Sequence, residues 1–145
     1  MTTGGSVLLQ ASAVAIAGRA LLIEGAPGSG KSSLVLALLD RGAQLIGDDG
    51  VSLRREGGRV FASPPPRISG KLEVHGVGIF ERETVDSVPL ALILSLGTDV
   101  ERLPETIPIR EILDLAIPAM AFDPGDIAPA IRAELALERH GLASE

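Results

Sequence analysis

The chain has 145 residues, a net charge of −6 and a mean hydropathy of +0.33, a size typical of about one globular domain. Its acidic balance, with no Trp or Tyr and three Phe, argues against a nucleic-acid surface, which needs basic patches and stacking aromatics. No apolar run approaches the ~20 residues of a membrane span, and residues 1–5 lack the basic region of a signal peptide. The absence of cysteine excludes disulfides and thiolate metal sites, and we expect a cytoplasmic protein without membrane or nucleic-acid partners.

The first half of the chain contains short apolar runs bounded by turn signals, a pattern that predicts strands. These strands are expected at residues 6–10, 13–17, 20–24, 43–47, 51–55 and 59–62. Gly18-Arg19 predicts a hairpin turn between the second and third strands, and residues 56–58 predict one between the last two. One helix is expected after Lys31, with Gly42 just past its C-terminal end.

The second half of the chain mixes extended segments with loops rich in glycine and proline. Three prolines at residues 64–66 end the strand pairing. Residues 68–80, with three glycines and paired charges, predict a site loop entered by a short strand. The apolar run at residues 88–96 predicts a buried central strand. A polar loop is expected at 98–106, and residues 107–117 favour extended structure over a helical turn.

The C-terminal segment predicts a second helix. Asp126 suits its N-cap position, and Gly141 suits its end. The spacing of Ile127, Ile131 and Leu135 predicts the apolar face of this helix. Because three strands precede the first helix and further strands follow it, residues 1–145 predict one α/β domain with a mixed sheet, not a regular βαβ alternation.

The most specific motif, residues 25–32, fits G-x-x-x-x-G-K-[ST], the phosphate-binding P-loop. An apolar strand enters it and a helical pattern leaves it, which is the context that a phosphate site at a helix N-terminus requires. Lys31 is expected to reach the β- and γ-phosphates of ATP, and Ser32 to offer its hydroxyl to Mg²⁺. The residues expected at the nucleotide are Gly25, Ala26, Pro27, Gly28, Ser29, Gly30, Lys31, Ser32 and Ser33.

An acidic pair, Asp48 and Asp49, follows Lys31 by 17 and 18 residues. This spacing allows one helix and one returning strand, so the pair is expected beside the P-loop, at the edge where open α/β sheets place their ligands. Of Asp48 and Asp49, one carboxylate is then expected to hold Mg²⁺, and the other to accept a proton as a kinase base does. The alternative, that Asp49-Gly50 is only a hairpin turn, is compatible with this role.

Two further side chains are candidates on weaker grounds. Glu73 lies in a glycine-flanked segment and is a candidate second Mg²⁺ ligand, the alternative being an exposed strand residue paired with Lys71. His75 is a candidate phosphate contact or proton shuttle, although a surface position is the simpler interpretation.

These stretches resemble the catalytic domain of HPr serine kinase/phosphorylase, in its short single-domain form. The first stretch is the P-loop, helix and Asp pair at residues 22–49. The second is Leu72-Glu73-Val74-His75-Gly76-Val77-Gly78-Ile79, which looks like the family's L-E-[VI]-R-G-[LV]-G-I signature. A weaker likeness runs from residue 90 to the last helix.

The resemblance implies a fold related to the catalytic part of phosphoenolpyruvate carboxykinases. It also implies ATP- and Mg²⁺-dependent phosphorylation of a serine on the phosphocarrier protein HPr, in the regulation of carbon metabolism. Lys31 corresponds to the family's active-site lysine, Asp49 to its proton acceptor, and Ser32 and Glu73 to Mg²⁺ ligands. We also expect self-association, because prolines and apolar residues crowd residues 63–68.

The chain departs from the family pattern at three quoted positions. Gln10 stands where the family has an active-site His, His75 where it has Arg, and Ser33 where it often has Glu. A counterpart of the family's later catalytic Arg is not evident. Because Gln cannot titrate, phosphorolysis is less expected than ATP binding. The departures leave open an alternative, a nucleotide-binding regulatory module that has lost phosphotransfer; a small-molecule kinase is disfavoured by the early Asp pair.

Overall fold

The computed structural model describes residues 5–66 and 70–143. The prediction of no signal peptide rests largely on residues 1–4, which lie outside the described residues. The first two residues of the predicted 68–80 loop, 68 and 69, also lie outside them. No helix in the described part of the chain has the length and apolar character needed to cross a membrane. The elements are β1 (Ser6–Leu9), β2 (Ser12–Ile16), β3 (Arg19–Glu24), α1 (Lys31–Asp40), β4 (Gln44–Gly47), β5 (Val51–Glu56), β6 (Arg59–Ser63), β7 (Lys71–Val74), β8 (Gly78–Glu81), β9 (Val88–Leu96), β10 (Ile109–Ile112), β11 (Leu115–Phe122) and α2 (Pro129–His140).

Nine strands of the described residues form one mixed sheet, in the order β1-β5-β6-β9-β3-β2-β4, with β11 joined to β9 and β10 to β11. The predicted central strand is β9. Its first residues pair antiparallel with β6, its last residues pair parallel with β11, and β3 runs parallel along its other side. The sheet therefore branches at β9, and the predicted α/β fold with a mixed sheet is confirmed.

Four strands end at the same edge of the sheet. β3, β9 and β11 are mutually parallel. β4 runs in the same direction as β3, because β2 lies between them and is antiparallel to both. The carboxyl ends of parallel strands are where α/β proteins place their ligands, so a functional site is expected at this edge.

The sheet separates two apolar clusters. On one face, α1 and α2 cover the sheet through buried residues that include Leu34, Leu38 and Leu137. The cluster on the other face contains residues such as Leu53 and Ile93 and no residue of either helix. The sheet itself must therefore curl around this second cluster, since burying apolar surface on both faces is the main stabilising term.

The β2–β3 hairpin was predicted correctly, but its turn is shifted by one residue. Ala17 and Gly18 form the turn, with φ of 52° and 83°, and Arg19 is the first residue of β3. Two-residue hairpins favour turns with positive φ at both central residues, because that geometry matches the twist of the strands.

The last helix starts later than predicted and turns a different face to the core. α2 begins at Pro129, and its N-cap is Ala128, without a side-chain hydrogen bond, so Asp126 is not the cap. Ile127, Ile131 and Leu135 are 80%, 41% and 54% exposed. The buried residues are instead Ala130, Ala133, Ala136 and Leu137. Small alanines let α2 lie close against α1 and the sheet, which the larger side chains would prevent.

The orientation of α2 leads to a stability prediction. Leu137→Ala should lower the free energy of unfolding by about 2–4 kcal/mol, because it leaves a cavity in the core. Leu135→Ala, two residues away on the exposed face, should change it by less than about 0.5 kcal/mol. Urea unfolding followed by circular dichroism measures both, and equal losses would contradict the observed orientation of α2.

Candidate functional site

The carboxylate of Asp48 joins three segments at the carboxyl edge of the sheet. Its Oδ1 accepts hydrogen bonds from Ser12 Oγ at 3.0 Å and from Ser32 Oγ at 3.1 Å. The backbone N–H of Glu73 donates to its Oδ2 at 3.4 Å. The start of β2, the start of α1 and the ribbon formed by β7 and β8 therefore meet at one side chain.

The loop at residues 25–32 connects the end of β3 to α1. Gly28 and Gly30 have φ of 82° and 103°, a conformation that glycine adopts without strain, and Ser29 N–H donates to Ala26 O at 3.0 Å. α1 begins at Lys31. Its N-cap residue is Gly30, which has no side chain that could accept a hydrogen bond from the first N–H groups of the helix. The first N–H groups of a helix have no intrahelical partner, so this end of α1 can bind an anion.

The first position of this loop has no room for a Cβ unless the Ser29 side chain moves. A Cβ on Gly25 would lie 2.4 Å from Ser29 Oγ. Ser29 Oγ is itself buried and has no hydrogen-bond partner among the described residues, so it is able to donate to a bound anion. Lys31 Nζ donates to Gly25 O at 2.7 Å, and its ammonium group therefore lies across the loop.

Other residues expected at the nucleotide lie on the surface. Ala26, Pro27 and Ser33 are exposed. Ser33 lines a separate cavity together with Leu36 and Arg82. The roles of all the loop residues towards a nucleotide stay predictions.

Asp49 projects from a tight turn beside Asp48. Its φ is 63°, its backbone N–H donates to Ser12 Oγ at 3.1 Å, and its side chain is exposed. A Cβ on Gly47 would lie 2.1 Å from Gly50 O, so the turn requires glycine there. The turn holds the two carboxylates at the site edge, one half-buried and one facing solvent.

Ser12 is a site residue that the sequence interpretation missed. It is 0% exposed, and its hydroxyl donates to Asp48 while accepting from the Asp49 N–H. The available signal was a hydroxyl residue at the head of a strand whose other residues are apolar, since buried polar groups are retained where they have partners.

The segment predicted as a site loop is a two-stranded ribbon, in which β7 pairs antiparallel with β8. Leu72 anchors it in the core, whereas Glu73 and His75 are exposed. Lys71 pairs with Glu81 at 3.6 Å, its cross-strand neighbour, so the alternative pairing of Lys71 with Glu73 is wrong. The structure brings the Glu73 backbone to Asp48; ligation by its carboxylate stays a prediction.

Gln10, which departs from the pattern of the resembled family, follows β1 and is exposed. It precedes Ser12 by two residues. Ser12 is the first residue of β2, the strand that lies between β3 and β4. An exposed amide here has room for a partner molecule but cannot transfer protons, since Gln does not titrate.

A second polar cluster lies where β3 enters the loop. Glu24 Oε1 accepts from Arg110 Nη1 at 2.6 Å, and Glu24 Oε2 accepts from Ser95 Oγ at 2.6 Å. Burial raises the pKa of Glu24, but the hydrogen bonds from Arg110 and Ser95 together with the guanidinium charge outweigh it, so the pKa is lowered overall. The hydrogen bond to Glu24 in turn raises the pKa of Arg110. The cluster ties β10 to the ends of β3 and β9, next to Gly25.

The oxygen atoms around Asp48 suit a small divalent cation. Ser32 Oγ and the Asp48 carboxylate are adjacent, whereas the described residues contain no group of three or more His, Asp or Glu side chains able to hold a metal by themselves. Mg²⁺ commonly binds through one or two protein oxygens, keeping waters and substrate phosphates as its other ligands. The residues present therefore fit Mg²⁺ better than a metal that needs a full protein cage.

The comparisons with known proteins agree on one family. The model of the HPr Serine kinase C-terminal domain matches residues 5–123. HPr kinase/phosphorylase of Clostridium tetani is 32% identical over 90% of this chain, and that of Clostridium acetobutylicum is 31% identical over 91%. A solved structure, the Hpr(Ser) kinase/phosphatase from Coxiella burnetii, matches with a TM-score of 0.78 and 28% identity, covering 91% of this chain and 89% of that one.

The chain matches only part of the length of these curated relatives. The chain spans 48% of the length of the Clostridium tetani and Clostridium acetobutylicum proteins. The match to the protein of Clostridium botulinum is 43% identical over 68 residues and covers 22% of that protein. The likeness therefore concerns a part of each of these relatives.

The Glu24 cluster leads to a prediction about acid. Because the pKa of Glu24 is lower in the folded chain than its ordinary value of 4.5, the ionised carboxylate stabilises the fold above that pH. This contribution is lost as the pH falls through the lowered folded value. The difference in unfolding free energy between wild type and Glu24→Gln should therefore be largest near about pH 7 and shrink towards about pH 3.

Glu56→Gln is the control, since Glu56 is 63% exposed and pairs with Arg54 at 3.5 Å on the surface. Exposed ion pairs contribute little to the free energy of unfolding, so this variant should have the same unfolding free energy as wild type at every pH. Urea unfolding across the pH series measures all three proteins. A Glu24→Gln difference that does not change with pH would show that the cluster has no electrostatic role in stability.

Proposed function

The chain belongs to the family of HPr serine kinase C-terminal domains, and from this premise we propose that it is an ATP- and Mg²⁺-dependent protein-serine kinase. Its substrate is a serine of an HPr-like phosphocarrier protein of the phosphotransferase system, and its role is in the regulation of carbon metabolism. The observation that carries the proposal is the hydrogen bond from Ser32 Oγ to Asp48 at 3.1 Å. It joins the candidate nucleotide loop to the acidic pair.

The nucleotide end of the proposed site is the 25–32 loop, acting as a P-loop in a fold related to phosphoenolpyruvate carboxykinases. The free N–H groups at the start of α1 and the buried Ser29 hydroxyl donate to the phosphates. On binding, the Lys31 ammonium group gives up its hydrogen bond to Gly25 O and donates instead to the β- and γ-phosphates. That exchange costs little, because one acceptor replaces another and the new one is charged.

The metal end of the proposed site is formed by Ser32 and Asp48, with Glu73 as a further ligand from the ribbon. Mg²⁺ held there neutralises charge on the phosphates. Ser12 orients the Asp48 carboxylate by donating to its Oδ1, as partners of metal ligands commonly do.

Asp49 is the proposed base. Its exposed carboxylate accepts the proton of the substrate serine hydroxyl as the serine oxygen bonds to the γ-phosphorus, while the bond between that phosphorus and the leaving oxygen of ADP breaks. A protein substrate needs an accessible base, and Asp49 is exposed. The turn through Gly47 and Gly50 fixes its position, which is the positioning that phosphoryl transfer requires.

A regulatory module that binds nucleotide without transferring phosphate is the second candidate. The observation that favours it is Gln10, exposed near Ser12, where the resembled family has a titrating His. For the same reason the kinase direction is proposed here without phosphorolysis. A cytoplasmic location and self-association complete the proposal.

The loop assignment is tested by Lys31→Ala. Removing a charge-assisted contact to phosphate should weaken ATP binding by about tenfold to a hundredfold, as measured by isothermal titration calorimetry with Mg²⁺ present. The matched control is Lys71→Ala, which removes the chain's other lysine from a surface ion pair and should leave the affinity unchanged. Equal affinity in wild type and Lys31→Ala would overturn the P-loop assignment.

The base is tested by Asp49→Asn, using labelled ATP, Mg²⁺ and HPr, with acid-stable phosphoserine as the readout. Loss of a general base should lower transfer by about 10²–10⁴-fold, whereas ATP affinity should be retained. The matched control is Asp114→Asn in the β10–β11 turn, because Asp114 is also exposed and also has positive φ, at 69°. Undiminished transfer by Asp49→Asn would remove Asp49 from the reaction, and ATP binding without transfer to any HPr tested would favour the regulatory module.

A further inference from the structure

Two connections between strands lie side by side at the acidic turn. One joins β1 to β2, and the other, residues 48–50, joins β4 to β5. Both are bracketed by the same two antiparallel pairings, which join Leu9 to Val51 and Ala13 to Gly47. The two pairings share one register, and continuing that register through the gap places Ser12 opposite Asp48. The strands on either side therefore fix how far Ser12 lies from the acidic turn.

The Ser12 hydroxyl links the two acidic residues through one short chain of hydrogen bonds. The backbone N–H of Asp49 donates to Ser12 Oγ at 3.1 Å, and Ser12 Oγ donates to Asp48 Oδ1 at 3.0 Å. Because an N–H only donates and a carboxylate only accepts, the hydroxyl satisfies both in one direction alone. A hydroxyl that donates and accepts at once strengthens both bonds, since each bond polarises the other.

The bond from Asp49 holds a backbone conformation that most residues avoid. The φ of Asp49 is 63°, in the left-handed region, which a non-glycine residue keeps only where its surroundings enforce it. The N–H that donates to Ser12 belongs to the peptide between Asp48 and Asp49, so this bond fixes the plane of that peptide. It thereby fixes the direction in which the Asp49 side chain leaves the turn, towards solvent.

Burial makes the Ser12 hydroxyl difficult to replace. Ser12 is 0% exposed, so bulk water is kept from its position. Without the hydroxyl, the Asp49 N–H would lose this acceptor, which is costly for a polar group away from water. Asp48 would still accept from Ser32 Oγ and from the Glu73 N–H. The loss would therefore fall mainly on Asp49, and the contact between Asp48 and the candidate nucleotide loop would remain.

We propose that Ser12 is a positioning residue for phosphoryl transfer, which acts through Asp49 by holding its carboxylate at a fixed place beside Asp48. The inference rests on the proposed function, in which Asp49 is the base. It goes beyond the contact of Ser12 with Asp48, because the second hydrogen bond ties the position of the base to the metal end of the site. A misplaced base slows the chemical step, since transfer requires close and aligned groups, but it leaves the nucleotide bound as before.

The test measures the rate of transfer and the affinity for ATP separately. Ser12→Ala should lower kcat for transfer from labelled ATP to HPr, with Mg²⁺ present, by about tenfold to a hundredfold. Its ATP affinity by isothermal titration calorimetry should stay within about twofold of wild type. Ser63→Ala is the matched control, because Ser63 Oγ accepts from the N–H of Ser87 at 2.9 Å, and Ser87 also has positive φ, at 54°. This control should have wild-type kcat and affinity.

A second variant, Ser12→Cys, keeps the test decisive where Ser12→Ala does not fold. A thiol is close in size to a hydroxyl but is a weak donor and a weak acceptor, so this variant keeps the packing and weakens both hydrogen bonds. It should show a lowered kcat at unchanged ATP affinity. The thermal unfolding midpoint, measured for each variant and for wild type, identifies the variants that are folded at the assay temperature.

A double variant shows whether Ser12 acts through Asp49. Once Asp49→Asn has removed the base, Ser12→Ala should lower the remaining transfer by less than about twofold, because residues in one hydrogen-bonded chain are not additive. An equal fold-loss in the two backgrounds would overturn this inference alone, as would an undiminished kcat in Ser12→Ala or an ATP affinity lowered as much as kcat. Wild-type protein that transfers no phosphate to HPr would instead overturn the proposed function, and the inference with it.

Discussion

The hydrogen bonds that Asp48 accepts from Ser12 and Ser32 are the constraint on which the candidate site depends. They are possible because β2 lies antiparallel between β3 and β4. The start of β2 therefore lies at the same edge as the ends of its two neighbours, and Ser12 fills the space between them. If β3 and β4 paired directly, β2 would not bring the Ser12 hydroxyl to this point. A fully buried hydroxyl is tolerated because it both donates and accepts.

Two polar clusters flank the 25–32 loop, and each fixes the position of one of its ends. The Asp48 cluster fixes the start of α1 relative to the acidic turn, and the Glu24 cluster fixes the end of β3 through Arg110 and Ser95. The loop between them carries a lysine that lies across it and the Ser29 hydroxyl, which has no hydrogen-bond partner within residues 5–66 and 70–143. The Ser29 hydroxyl is thus left available, whereas the groups that position the loop are paired, which is the division expected of a preorganised site.

Much of the fold could be predicted from the sequence, because its strands and turns carry local signals. The signals of the apolar runs in β3 and β9, of the hairpin turn at residues 56–58 and of Gly42 after α1 each lie within a few residues. The face of α2 could not be predicted in this way. Ile127, Ile131 and Leu135 have the spacing of a buried stripe, yet the close approach of α2 to α1 selects alanines. Spacing shows which residues share a face, but the neighbour decides which face is buried.

The sequence by itself determined the identity of the candidate loop and of the acidic pair that follows it, because a P-loop motif and a helix-and-strand spacing are properties of one continuous segment. Only the tertiary structure decided which side chains surround them. Ser12 precedes Asp48 by 36 residues, and Glu24 precedes Arg110 by 86; no local pattern links residues so far apart. The antiparallel strand between β3 and β4 and the branching of the sheet at β9 bring them together, since strand order is fixed by packing over the whole chain.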